Sequence, residues 1–360
     1  MKKLMRHAVP ALSIAALFAT AAHAQSTVQV YGLLDAGVEA NRTGVPGEKR
    51  NLMVNTGNQA ASRLGFRATE DLGGGLSAIV NIELGLYADT GNIVTYGETA
   101  GTFWGRRAVV GLQGAFGELL LGREYTPGFW TLIQTDRFRY GLPGTVSTPS
   151  QIAVTRANNG VFYKTPNLAG FVGRLAATTG LEGTTPAHDQ GRFLSGSLDY
   201  KVGKLFLSGA YQKRRDLQPG STTQTADFNE GGAGLEYSFA PFVVTAGFWT
   251  TDPVTATADA VDKTKAYWIG AGMDIGLGQL NLQIARTELR YFGRGDGKAL
   301  TYGVSYTYPL SVRTALYAAY GGVNNNDGAR LALNTGSQRV GGVVFGADPS
   351  AVIVGMRHNF

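Results

Sequence analysis

Two arginines and a glutamate are the first residues of the chain with an evident chemical use. In the stretch Ser62–Thr69 apolar and polar residues alternate, so Arg63 and Arg67 share one face, and in Leu76–Leu86 Glu83 lies on the polar face. Because successive side chains of a strand point to opposite faces, all three charges would face the same wet side of a sheet. Fixed charges in that position attract or repel dissolved ions without making or breaking bonds.

The chain offers little to a catalyst. After the first 24 residues only His188, in a polar stretch, and His358, near the end, remain, so no nucleophile, base and orienting group can be assembled around histidine. The run Asn324–Gly328 has oxygen-bearing side chains but lacks the spacing of a calcium loop. We therefore predict that the protein is not an enzyme and holds no metal and no cofactor.

Sixteen short stretches repeat the alternation, from Thr27–Ala40 to Ala351–Phe360. Short turns such as Val202-Gly203 separate long polar connections such as Asn41–Ala60. An even number of antiparallel strands, with short turns at one end and long loops at the other, is typical of outer-membrane barrels. The sequence therefore predicts an all-β fold, a sixteen-stranded antiparallel transmembrane β-barrel. A soluble β-sandwich would also alternate, but it would not explain the terminal aromatic residue after a full-length strand with an apolar face.

The longest break in the alternation lies at about residues 124–158. Connections of this length are usually functional or disordered. This one carries too much apolar surface for a disordered segment. Its apolar residues include Phe129, Trp130, Leu132, Ile133, Phe138, Tyr140 and Leu142. We expect the segment to fold into the lumen of the barrel and to set the bore.

The first 24 residues have the features of a secretory signal peptide: a basic start, an apolar run over residues 8–22 and an Ala22-His23-Ala24 cleavage site. We assign residues 1–24 to this signal and residues 25–360 to the barrel. No run of 18 apolar residues follows, so no membrane helix is expected. Without the signal the chain keeps 29 basic and 26 acidic residues, a formal charge of +3, which argues against a nucleic-acid partner.

Several stretches resemble the general porins of Gram-negative bacteria, in the form typical of beta-proteobacteria. They are Val30–Asp35, Ser62–Arg67 with Glu70–Leu76, Gly105–Leu112, Leu121–Pro127 and Val354–Phe360. The resemblance implies a homotrimer of sixteen-stranded barrels set in outer-membrane lipid, with the third extracellular loop folded inward as the constriction. It also implies that the C-terminal Phe360 is recognised by the barrel assembly machinery.

The resemblance also implies site residues. It adds Arg106 and Arg156 to a basic wall that faces the inward loop, and in related porins acidic loop residues lie opposite that wall. Here Asp136 is the best candidate for the acidic side, although the positive charges of Arg137 and Arg139 beside it offset its negative charge. The predicted pore constriction therefore consists of Arg63, Arg67, Glu83, Arg106, Asp136 and Arg156.

Two further arginines are expected away from the lumen. Arg107 follows Arg106 directly and would therefore point to the opposite face, and Arg123 is out of phase with its neighbours Glu118 and Gly122. An arginine at the midplane of the lipid costs roughly 2 to 4 kcal/mol, and less near the interface. We predict that Arg107 and Arg123 lie at the rim of the barrel or in a subunit contact.

These features predict a passive diffusion channel for small hydrophilic solutes and ions, with a weak preference for anions. Such a pore selects by its narrowest width and by the charges that project there. Two alternatives remain open. One is a channel of the same fold that is specific for organic acids or sugars, and the other is a plugged barrel that acts as a surface adhesin.

Overall fold

The computed structural model describes residues 27–94, 102–180, 189–217, 221–252 and 261–360. The signal peptide assigned to residues 1–24, and His188, lie outside these ranges. The strands are β1 (Thr27–Arg42), β2 (Asn51–Thr56), β3 (Arg63–Gly73), β4 (Leu76–Gly85), β5 (Arg107–Gly114), β6 (Gly117–Tyr125), β7 (Arg156–Lys164), β8 (Phe171–Thr178), β9 (Phe193–Val202), β10 (Leu205–Leu217), β11 (Thr225–Phe239), β12 (Phe242–Thr251), β13 (Val261–Ile275), β14 (Gly278–Tyr291), β15 (Gly295–Pro309), β16 (Thr314–Asn325), β17 (Leu333–Thr335), β18 (Gln338–Val340) and β19 (Ser350–Asn359). Two helices, α1 (Pro127–Thr135) and α2 (Ser147–Ser150), lie between β6 and β7.

The strands form a closed antiparallel ring. From β3 to β16 each strand pairs with the next along the chain, and β16 pairs with β19. The pairing of β1 with β19, from Leu33 opposite Asn359 to Arg42 opposite Ser350, closes the ring. The other edge of β1 pairs with β3 over its first half and with β2 over its second half. Since β2 continues the position of β3, the ring is sixteen strands around. The predicted sixteen-stranded barrel is confirmed.

Alternation gives the wall two different faces. In β14, Leu282 and Ile284 are exposed apolar residues, whereas Asn281 and Gln283, which alternate with them, are buried. The same phase runs through the neighbouring strands, where the exposed residues are mostly aliphatic or aromatic. An apolar outer band around a polar interior is the surface pattern of a barrel that sits in lipid. No helix of the described ranges is long and apolar enough to cross a membrane.

The connection between β16 and β19 packs against the wall. It contains the small β17–β18 hairpin, and Leu331, Leu333 and Val340 from it form a buried cluster with Leu289 of β14 and Val323 of β16. Burial of this apolar surface stabilises the connection against the barrel. This connection is therefore a packed structure where the sequence showed mainly polar residues.

The C-terminal residue takes part in the closure of the ring. The backbone N–H of Phe360 donates to the carbonyl oxygen of Gly32 at 3.0 Å, and the N–H of Gly32 donates to the carbonyl of Phe360 at 3.1 Å. A Cβ at position 32 would lie 2.5 Å from the Phe360 ring. Glycine is therefore required at position 32 to make room for the terminal ring, while recognition of Phe360 during assembly stays a prediction.

Candidate functional site: an arginine-lined cavity

A cavity of about 2020 Å³ is lined by inner-face residues of the wall and by the segment between β6 and β7. Within the described residues its lining holds three acidic side chains, Glu83, Glu236 and Asp274. Its lining also holds ten arginines: Arg63, Arg67, Arg106, Arg107, Arg137, Arg139, Arg156, Arg313, Arg339 and Arg357. The fixed charge of the described lining is therefore mostly positive.

Glu83 lies between two of the predicted arginines. It is on β4, where its Oε2 is 3.6 Å from Nε of Arg63 on β3, and its Oε1 forms an ion pair with Nε of Arg106. The hydroxyl of Tyr31 donates a further hydrogen bond to Glu83 at 3.1 Å. The carboxylate is only 5% exposed, so these contacts compensate for its removal from water. One acid thus holds two arginines in place.

Tyr125 connects two arginines from different parts of the chain. Its hydroxyl oxygen accepts hydrogen bonds from Nη2 of Arg106 at 2.6 Å and from Nη2 of Arg156 at 2.7 Å. The guanidinium carbon of Arg156 also lies 4.2 Å from the centre of the Tyr125 ring, a cation–π geometry. The structure thus brings Arg63, Glu83, Arg106 and Arg156 together through a tyrosine that the sequence analysis missed. Its only signal was its place in the porin-like stretch Leu121–Pro127.

Arg67 stands apart from this cluster. It is on the same face of β3 as Arg63, lines the same cavity and is exposed. Its guanidinium lies 5.5 Å from the centre of the Tyr31 ring. The alternation therefore placed Arg67 on the correct face, and the structure adds that it is the more accessible of the two charges.

The segment between β6 and β7, residues 126–155, begins with a capped helix. The Thr126 hydroxyl accepts a hydrogen bond from the N–H of Phe129 at 3.3 Å, and Pro127 occupies the first helical position, where its missing N–H costs nothing. These two residues explain why the chain turns into α1 directly after β6.

The segment is fastened to buried side chains of the wall. The indole N–H of Trp268 on β13 donates to the carbonyl of Thr135 at 3.1 Å, and Gln212 on β10 accepts from the N–H of Gly128 at 3.1 Å. Leu132 is 0% exposed and packs with Trp249 and Trp268. These wall residues alternate with the exposed apolar ones, so the segment lies against the face opposite to lipid.

Asp136 does not have the predicted position. Its side chain is 0% exposed and does not line the cavity. Instead its carboxylate accepts hydrogen bonds from the backbone N–H groups of Phe138, Tyr140 and Val146, from the Thr145 hydroxyl and from the Gln283 amide. A turning loop needs acceptors for its backbone donors, and Asp136 supplies them. Burial raises the pKa of Asp136 above its ordinary value. The prediction that Asp136 faces the basic wall is wrong.

A different acid lies beside the arginines of the segment. Glu236 of β11 is 3.2 Å from Nη1 of Arg137 and 3.0 Å from Nη2 of Arg139. Glu236 was not among the residues predicted from the sequence. Its signal was the alternation with the exposed Tyr237, which puts Glu236 on the inner face of β11. The acid opposite the segment comes from the wall, and the segment itself contributes positive charge.

Arg107 lies on the inner face, whereas we predicted a position away from the lumen, at the rim of the barrel or in a subunit contact. It shares the phase of the buried Val109 on β5, lines the cavity and forms an ion pair with Glu124. The prediction assumed that the alternation includes Arg106, but β5 begins at Arg107, so the two residues are not successive strand positions.

Arg123 is buried and does not line the cavity. Its Nε donates to the carbonyl of Gly105 at 2.8 Å, and its Nη1 donates to the side chain of Asn158. The pairing of β6 with β7 shifts register between Gly122 and Glu124, which explains why Arg123 is out of phase with the rest of its strand. Its predicted place in a subunit contact stays a prediction.

A closed sixteen-stranded barrel with an apolar outer face and a charged cavity defines the class of outer-membrane channels. The chain belongs to the Gram-negative porin family, whose sequence model matches residues 11–328. Together with the relatives below, this family assignment identifies an integral outer-membrane protein and a passive channel, as predicted.

Two relatives are similar over nearly their whole length. Outer membrane porin protein 32 of Delftia acidovorans is 31% identical over 363 residues, which cover 97% of this chain and 99% of the relative. An outer membrane porin protein of Bordetella pertussis is 28% identical over 425 residues, with 99% of this chain and 100% of the relative covered. These relatives confirm the predicted resemblance to beta-proteobacterial porins.

Solved structures agree with the fold. The anion-selective porin from Comamonas acidovorans has a TM-score of 0.80 at 29% identity and covers 93% of this chain and 100% of its own. OmpT of Vibrio cholerae, determined in a trimer form, has a TM-score of 0.68 at 16% identity, with 93% and 99% covered. The second similarity supports the barrel fold alone.

Proposed function

We propose that this porin prefers anions and that its narrow part lies between two sides. One side holds Arg63, Arg106 and Arg156, and the other is the segment 126–155, which acts as the inward-folded constriction loop. The observation that carries the proposal is the excess of ten arginines over three acids in the described cavity lining. Charges that project into a narrow aqueous passage decide which ions enter it.

The positive excess remains after the ion pairs are taken into account. Glu83 is shared by Arg63 and Arg106, and Glu236 is shared by Arg137 and Arg139. Each trio of one acid and two bases keeps a net charge of +1 after pairing. The acids therefore fix the positions of the guanidinium groups without cancelling the field that an entering anion meets.

Contacts of the segment support its role as the constriction. It is held against the inner side of the wall by Gln212, Trp268 and Gln283, and it presents Arg137 and Arg139 to the cavity. The relative from Comamonas acidovorans, described as an anion-selective porin, agrees with the proposed preference. Membership of the porin family also supports a homotrimer in outer-membrane lipid that is inserted by the barrel assembly machinery.

The test is the reversal potential of purified protein in a planar lipid bilayer under a potassium chloride gradient. The wild type should show a potential that favours chloride. The double variant Arg63→Gln/Arg106→Gln should lose much of this preference. A matched control is Arg286→Gln on the outer phase of β14, whose side chain is 57% exposed. A wild type that favours potassium, or a double variant with the selectivity of the control, would contradict the proposal.

A further inference from the structure

The free face of α1 carries two large apolar side chains. Phe129, Leu132 and Thr135 are buried against the wall, whereas Trp130, Ile133 and Gln134 remain partly exposed. Spacings of three and four residues put these last three on one face of the helix, and Trp130 and Ile133 line the cavity. A helix that faces water is expected to be polar on that side, and barrel interiors are polar. Trp130 and Ile133, the apolar strip, depart from both expectations.

Guanidinium groups flank the strip at its Trp130 end. The Trp130 ring lies 5.6 Å from the Tyr125 ring, and the guanidinium of Arg156 lies 4.2 Å from the centre of the Tyr125 ring. The guanidinium of Arg174 lies 6.0 Å from the Trp130 ring. The indole N–H of Trp130 has no acceptor within the described part of the chain, so it is available to a ligand.

A further arginine stands at the Ile133 end. Nη1 of Arg139 donates to the carbonyl oxygens of Ile133 and Gln134 at 3.3 and 2.8 Å, and the side chain of Arg139 is 49% exposed. Because these hydrogen bonds fix Arg139 beside the strip, its charge is presented at a defined place. The apolar strip therefore lies between guanidinium groups at both ends.

We propose that the apolar strip and its flanking arginines form a binding site for small aromatic monocarboxylates on their way through the pore. This inference rests on the proposed anion preference and adds a substrate class to it. A carboxylate would accept charge-assisted hydrogen bonds from Arg156 or Arg139, while the ring would pack against Trp130 and Ile133. Chloride and short aliphatic acids gain only the contact with the arginines, and uncharged aromatic solutes gain only the packing against Trp130 and Ile133.

Three probes separate these contributions: benzoate, acetate and benzyl alcohol. Each is added to wild-type channels that carry a chloride current in a planar bilayer, and the concentration that halves the current is measured. Benzoate combines charge with an aromatic ring. Its half-blocking concentration should be about fivefold below that of acetate, which lacks the aromatic contact, and also below that of benzyl alcohol, which lacks the charge-assisted hydrogen bond. Equal values for benzoate and acetate would overturn the site.

Variants of the strip give the second part of the test. In Trp130→Gln and in Ile133→Gln the half-blocking concentrations of benzoate and acetate should differ by no more than about twofold. Trp130→Phe should keep most of the wild-type difference because the aromatic surface remains. Leu277→Gln, which removes an exposed apolar side chain from the cavity lining at the β13–β14 turn, is the matched control and should behave as wild type. An unchanged benzoate-to-acetate ratio in Trp130→Gln would overturn the site.

The reversal potential distinguishes this inference from the proposed function. If wild-type channels favour chloride but do not distinguish benzoate from acetate, the binding site is wrong and the anion preference stands. If wild-type channels favour potassium, the anion preference fails, and the carboxylate site fails with it.

Discussion

The side-chain amide of Gln283 donates a 2.8 Å hydrogen bond to Oδ1 of Asp136 and thereby joins the segment between β6 and β7 to the inner face of β14. The same amide nitrogen donates to the carbonyl of Gly144 at 2.9 Å. Oδ2 of Asp136 accepts from the N–H of Tyr140 and from the hydroxyl of Thr145. One buried carboxylate thus shapes the segment and anchors it to the wall. In the proposed function, the width of the passage would therefore depend on a residue that does not line the cavity.

Asp136→Asn should loosen the segment. The new amide N–H₂ replaces one acceptor oxygen, and it faces hydrogen-bond donors in either orientation because both oxygens accept at present. A buried donor left without a partner costs about 1 to 3 kcal/mol. We expect noisier open-channel currents and a larger mean conductance in single-channel recordings, with the sign of the selectivity unchanged.

Asp71→Asn is the matched control for this change. Asp71 accepts a 2.9 Å hydrogen bond from the N–H of Gly73 at the exposed end of β3 and is not part of the described cavity lining. The substitution removes the same charge and leaves the acceptors of the segment in place, so its current noise should equal that of wild type. If the open-channel current noise of Asp136→Asn equalled that of this control, the carboxylate would not anchor the segment.

Tyr125→Phe tests the junction between Arg106 and Arg156. The change keeps the ring and its cation–π contact but removes the oxygen that accepts from both guanidinium groups. A hydrogen bond to a charged group contributes about 1.5 to 3 kcal/mol. We expect a lower temperature for loss of the folded band in gel electrophoresis and a reduced chloride preference.

Tyr163→Phe provides the comparison for that experiment. Its hydroxyl donates to the carbonyl of Phe116 at 2.6 Å at an exposed turn, away from the cavity. This variant should keep the wild-type selectivity. Equal chloride preference in Tyr125→Phe, Tyr163→Phe and wild type would show that the arginines hold their positions without Tyr125.

Period-two alternation was sufficient to predict the wall and the faces of charges that lie within regular strands. Arg63 and Glu83 lie within regular strands, so their faces follow from the sequence alone. Arg106 and Arg107 stand where β5 begins, and alternation has no meaning before the first strand residue. The error in the predicted face of Arg107 is therefore an error in the position of a strand end, which local sequence determines poorly.

The residues of the segment were less predictable for a different reason. The environment of Asp136 depends on backbone groups of its own loop and on Gln283 in a strand far along the chain. The partner of Arg137 and Arg139 is Glu236 of β11, again a contact between distant parts of the sequence. Apolar content showed that the segment had to pack, but only tertiary structure shows which of its charges are buried.

Glu83→Gln should increase the preference for anions. The change removes the acid that Arg63 and Arg106 share and keeps a side chain of the same length. A unit charge at 4 Å is worth about 1 kcal/mol in water, or about fivefold in the local concentration of a single ion, and greater distance and salt screening reduce this value. We expect the chloride-to-potassium permeability ratio to rise about two- to fivefold. Glu288→Gln, which removes an exposed partner of Arg286, is the control. A fall in the ratio would mean that Glu83 matters mainly for holding the arginines in place.

The anion preference should weaken as the salt concentration rises. Electrostatic screening lengths are about 10 Å at 0.1 M and about 3 Å at 1 M, so at high salt an arginine acts only on ions that nearly touch it. Arg67 is the more exposed charge of β3 and should be screened most, whereas Arg63 and Arg106, which are held close to Glu83, should keep part of their effect. Reversal potentials at a fixed salt ratio and increasing mean concentration give the measurement. Arg67→Gln should reduce the anion preference at low salt more than the anion preference at 1 M. A wild-type preference that does not change with salt would mean that the width of the passage, not its charge, selects the ions.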